Sequence, residues 1–206
     1  YYLLMKLKNN LIANSIGQIW VALMGIAFLP LYIKYLGIEA YGVIGFYAIL
    51  QGIFNLLDMG MSPTVSREMS RFIGKERSKN WIGNFFFSIE CIVLLVCILV
   101  FALVFFFSSW IASDWLKPTT IPLEDLTQVI SLMGLVIGLR LIEGIYRGAI
   151  LGLQQHVIFN IINVISATFR WGGSVIVLAY VSNTLFAFFM WQGACSFFTL
   201  LILRTS

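Results

Sequence analysis

Between Trp81 and Phe107 the chain runs for 27 residues with one charged side chain, Glu90. At 1.5 Å per residue a helix of that length reaches about 40 Å, more than the ~30 Å hydrocarbon core of a bilayer. Such a helix is apolar all round and has no face to offer water, whereas in lipid it satisfies its backbone polar groups internally. This one stretch commits the chain to a membrane. Five further apolar runs, residues 11–36, 40–65, 126–153, 157–181 and 185–203, repeat the pattern. Charged residues make up 11% of the chain, less than half the ~25% of soluble domains, and the mean hydropathy is +0.94. The fold class that follows is all-α integral membrane, with about six transmembrane helices.

Orientation follows from the basic residues. Arg67, Arg71, Lys75, Arg77 and Lys79 follow the second run, and Lys6 and Lys8 precede the first. The opposite loops carry Lys34 and Lys117, the latter among Asp114, Glu124 and Asp125. Lysine and arginine concentrate on the cytoplasmic side. Residues 1–9 are therefore expected to be a cytoplasmic N-terminus and residues 10–206 the transmembrane unit. Residues 108–125, with Trp110, Trp115, Pro118 and Pro122, read as an interfacial loop on the far side. The net charge of +4 gives no reason to expect nucleic acid. Cys91, Cys97 and Cys195 lie within apolar runs without metal-ligand spacing and read as packing residues. Met5 reads as a natural start, no cleavable signal peptide is evident, and the end directly after a span reads as that of a fragment.

The second run is unusual at its end. Asp58 is carried inside it, Pro63 is expected to interrupt the helix by removing an N–H and clashing one turn back, and the basic loop follows at once. Small residues recur in the fourth run as Gly134-xxx-Gly138 and Gly144-xxx-Gly148-xxx-Gly152. That spacing lets neighbouring backbones approach closely, as packing contacts or as a surface on which helices rock.

Six ionisable side chains fall at membrane depth. Counting from the basic side at 1.5 Å per residue, Asp58 lies roughly 13 Å in, Glu90 and Glu143 roughly 16 Å, Arg140 and Arg170 roughly 21 Å, and Arg147 roughly 10 Å. Each costs at least ~2.5–3.5 kcal/mol at a helix centre, so they must face one another or water. Arg140, Glu143 and Arg147 at i, i+3 and i+7 share one helical face. Structural salt bridges would account for the set, and Arg147 could also snorkel to the interface. The functional alternative is a hydrated cavity. In it Arg140, Arg147 and Arg170 would meet phosphate oxygens, because guanidinium forks suit them. Amides such as Asn14, Gln18, Gln51, Asn55, Asn160, Asn163 and Gln192 would meet hydroxyls, and Asp58, Glu90 or Glu143 would couple transport to an ion. The substrate-binding candidates are Arg140, Arg147, Arg170, Asn55 and Asn163; the ion-coupling candidates are Asp58, Glu90 and Glu143. No phosphate-cradling loop, metal-binding pair or nucleophile elbow occurs. No catalytic residue, metal or other cofactor is expected.

Leu36-Gly-Ile-Glu-Ala-Tyr-Gly42, Leu50-Gln-Gly52 and Leu57-Asp-Met-Gly-Met-Ser-Pro-Thr-Val-Ser-Arg67-Glu68 resemble the bacterial polysaccharide transporter family. These are the Wzx-like O-antigen and exopolysaccharide flippases of the multidrug/oligosaccharidyl-lipid/polysaccharide exporter superfamily. Glu90, Tyr146-Arg147-Gly148, Leu151-Gly-Leu-Gln-Gln155 and Asn160 are looser echoes. The resemblance implies two pseudo-symmetric lobes, of which this chain would be the N-terminal one. It implies movement of undecaprenyl-diphosphate-linked oligosaccharide across the bacterial inner membrane, driven by an ion gradient. The partners implied are that lipid-linked oligosaccharide, membrane lipid, and polysaccharide polymerase or assembly proteins. Two other readings stand beside it. One is a different superfamily member, a peptidoglycan-precursor flippase or a drug/cation antiporter; the other is a non-transport membrane partner in polysaccharide synthesis.

Overall fold

The computed structural model describes residues 15, 17–58 and 60–205. Lys6, Lys8, Asn14 and the expected cytoplasmic segment 1–9 lie outside them. Among the described residues all regular structure is helical, as expected. Helix α1 (Gly17–Leu36) is interrupted by a turn at Phe28, where Pro30 enters the first turn of the continuing helix Leu29–Leu36. Gly37, at φ +85°, turns the chain into α2 (Ile38–Asn55). Then come α3 (Met61–Ile73), α4 (Lys79–Trp110), α5 (Leu123–Gly152), α6 (His156–Tyr180) and α7 (Leu185–Thr205).

Five of these, α1, α4, α5, α6 and α7, are long and apolar enough to cross a membrane. Helix α2 has 18 residues, about 27 Å, and carries Glu39, Gln51 and Asn55. The run expected over 40–65 is not one helix. After Asn55 the chain tightens into a 3₁₀ turn at Leu56–Asp58, and Gly60 adopts the left-handed conformation at φ +89°. The break therefore falls before Pro63, which sits in the first turn of α3, where a missing N–H costs nothing. The loop expected over 108–125 is also shorter. Helix α4 continues as a wider π-helical turn, Ile111–Leu116, because Ile111 and Ala112 are buried against the bundle. Lys117, at φ +47°, and the following proline end it.

Helix α5 is the axis of the fold. More than half of its 30 residues are buried, against six of the 32 in α4. Its glycines decide what lies beside it. Val104 and Cys97 of α4 fill the space where Gly134 and Gly138 lack a Cβ, and Cys97 Sγ donates to the Gly138 carbonyl at 3.0 Å. Ser62 and Ser66 of α3 lie against Gly144, Gly148 and Gly152, and Ser70 Oγ donates to the Gly152 carbonyl at 3.0 Å. The small-residue spacing thus makes two packing seams. The opposite side of α4 presents Leu94, Leu95, Ile98, Leu99, Phe105 and Phe106 outward, as a lipid-facing surface does. The bundle has a basic end, around α3 and the α3–α4 loop, and a far end, around residues 117–122 and the α6–α7 turn.

Candidate functional site

Arg140, Glu143 and Arg147 share one face of α5, as their spacing predicts, and α6 and α7 close over it. Glu143 is 2% exposed. Its carboxylate accepts from Arg147 Nη2 at 3.2 Å and from Arg170 Nη2 of α6 at 3.3 Å. Arg147 Nη1 donates to Asn163 Oδ1 at 3.0 Å, and Arg170 Nη2 to Ser196 Oγ of α7 at 3.2 Å. Arg140 reaches Gln192 Oε1 by a long contact of 3.5 Å and lies 5.8 Å from the centre of the Tyr47 ring. Gln192 donates to Ser174 Oγ at 3.1 Å, and Ser174 Oγ to the Arg170 carbonyl at 2.7 Å. Four helices, α2, α5, α6 and α7, contribute to one polar network.

Its charge does not balance. Three guanidinium groups face one carboxylate, and among the described residues no carboxylate lies within ion-pair distance of Arg140. Arg140 Nε, Arg170 Nε and the Tyr47 hydroxyl are buried without a hydrogen-bond partner. An unmet buried donor costs about 1–3 kcal/mol. All three groups can donate, so the spare capacity of the network is for an acceptor, and its spare charge favours an anion.

Asp58 and Glu90 do not join it, nor does Asn55. Asp58 Oδ1 accepts from Ser62 N at 3.1 Å and Ser62 Oγ at 2.9 Å, fixing the start of α3. Glu90 of α4 accepts from the Tyr146 hydroxyl. Asn55 ends α2 exposed. The six ionisable side chains at membrane depth therefore do not form one set. The reason is geometric: α4 lies along the Gly134–Gly138 face of α5, roughly opposite the Arg140–Arg147 face at 3.6 residues per turn. Tyr47, Ser174 and Ser196 were missed. The two serines stand out faintly as hydroxyls within apolar runs, but nothing marks Tyr47.

A second buried acid, also missed, organises the basic end. Glu68 is 5% exposed and accepts from Arg77 Nε at 3.1 Å and Arg71 Nη1 at 3.2 Å, with Arg67 Nε 3.7 Å away. Arg77 lies over the Trp81 ring at 4.0 Å. Burial draws the Glu68 carboxyl upward, but the hydrogen bonds from Arg77 and Arg71 outweigh it and hold the group below the usual carboxylate range. The apparent charged loop is a folded clasp around one carboxylate.

A family model described as polysaccharide biosynthesis protein matches residues 7–204. No curated protein and no solved structure matches the chain. The matched range takes in α1 to α7 and every residue of the network, so the helices and the family agree on a multi-pass membrane protein with a polysaccharide-related transport role. The chain belongs to the polysaccharide biosynthesis protein family.

Proposed function

We propose that this chain takes part in moving an undecaprenyl-diphosphate-linked oligosaccharide, an O-antigen or exopolysaccharide repeat unit, across the bacterial inner membrane. The basic end and the N-terminus face the cytoplasm in this reading. The observation that carries it is Arg140: a guanidinium at membrane depth, without a carboxylate partner among the described residues, beside further unmet donors. A diphosphate would supply the missing acceptors and charge, and a bidentate guanidinium–phosphate contact suits the planar fork. Arg170 shares its charge with Glu143 and so assists, while Arg147, nearer the basic end and 29% exposed, offers the substrate an earlier contact. Of the three acids, Glu143 is engaged by two arginines and Asp58 by the start of α3. Glu90, held by a neutral phenol, is the one left to couple transport to the ion gradient.

The test is complementation of a flippase-deficient strain by Arg140→Lys and Arg140→Gln, scored beside membrane abundance. Lys should retain part of the function and Gln lose it at normal abundance. Full complementation by Arg140→Gln removes the anchoring role.

A further inference from the structure

A pocket of about 460 Å³ opens at the far end, between the loop at residues 120–122, the first turns of α5 and the start of α7. Its size lies within the ~300–1,000 Å³ of small-molecule sites. One wall is held in place by Glu39, whose carboxylate accepts from Thr120 N at 2.9 Å and from the Thr119 amide and Thr120 hydroxyl. On another wall Thr184 Oγ1 accepts from Ala187 N at 3.3 Å. These two threonines are thus committed to structure. Asp125, Gln128 and Asn183 also line the pocket, and among the described residues their side chains have no hydrogen-bond or ion-pair partner. Phe186, 46% exposed, completes the lining.

The chemistry of these groups narrows the ligand. Among the described residues no lysine or arginine lines the pocket and one carboxylate does, so an anion is disfavoured. An organic cation would use Asp125 and the Phe186 face, but would displace water from the exposed amides of Gln128 and Asn183 without replacing its hydrogen bonds. A sugar uses everything present. Its hydroxyls donate to the Asp125 carboxylate, both donate to and accept from the two amides, and its C–H face lies against Phe186. We propose that this pocket is a saccharide subsite that takes one neutral hexose unit between Phe186 and the side chains of Asp125, Gln128 and Asn183. The proposal rests on the polysaccharide reading above and adds to it a place for the glycan, separate from the arginine network.

Saturation-transfer NMR on the purified protein in nanodiscs, with the methyl glycosides of glucose, galactose and mannose, tests it. At least one glycoside should receive saturation on its ring protons. The double variant Gln128→Ala/Asn183→Ala, altered only at exposed positions, should lower that signal at least threefold with an unchanged thermal melt. No transfer to any of the three, or transfer undiminished in the double variant, overturns the proposal, as does binding of tetraphenylphosphonium with none of the sugars. Arg140→Gln keeps the two readings apart. Loss of transport with the sugar signal retained supports both, and full transport by Arg140→Gln beside an intact sugar signal removes the anchor while leaving the subsite.

Discussion

Glu143 takes hydrogen bonds from guanidinium groups on two helices while almost wholly shielded from solvent. Removing one partner of such a buried set typically costs about 3–5 kcal/mol, because the charge left behind is uncompensated. Glu143→Gln should therefore lower the thermal midpoint of the purified protein. Pairing it with Arg170→Met should recover part of the loss, since the stranded charge is gone. A double variant no more stable than Glu143→Gln alone would show that the Arg170 contact carries little. The face bearing Arg140, Glu143 and Arg147 was legible in the sequence because helical periodicity is a local property. Which acid would meet which arginine was not. Asp58, Glu90 and Glu143 look alike in sequence, and only the side from which α4 and α6 approach α5 separates them.

Helix α3 is the element whose nature the sequence disguised. Hydropathy merged its first residues with α2 into one run ending at Val65 and left the rest in the basic loop, because Gly60 gives no sign of its left-handed backbone. Its amphipathic character becomes plain only once it is seen to dock along a glycine seam. A Cβ at Gly152 would stand 2.3 Å from the Ser66 carbonyl oxygen, and one at Gly148 2.5 Å from that of Ser62. Both obstacles are backbone atoms, so α3 as a whole would have to move. Overpacking of this kind costs about 1–3 kcal/mol. Gly148→Ala and Gly152→Ala should each destabilise the protein by that order. Gly42→Ala, where nothing lies within 4 Å, should leave it unchanged or slightly more stable. Equal melts for all three variants would mean that α3 is not seated on α5. The fourth, fifth and sixth runs, in contrast, matched α5, α6 and α7 within a few residues, since each is bounded by a polar turn.

At the scale of the whole molecule, the basic clasp and the Glu39-bound loop lie at opposite ends, so the two faces of the membrane can be told apart by labelling. With Cys91, Cys97 and Cys195 replaced, an impermeant thiol reagent applied to intact cells should label Thr119→Cys. It should reach Lys79→Cys only after permeabilisation; the reverse pattern would invert the orientation. The architecture also bears on how the chain is made. Helix α5 leaves the ribosome ahead of α6 and α7, carrying Arg140, Glu143 and Arg147 into the insertion machinery before Arg170, Asn163 and Gln192 reach it. The Glu143–Arg147 bridge is an i,i+4 contact within one helix, so α5 brings its own counter-ion with it. Its entry into lipid then requires shelter for only one unneutralised arginine, Arg140, which meets Tyr47 and Gln192 once the bundle has closed.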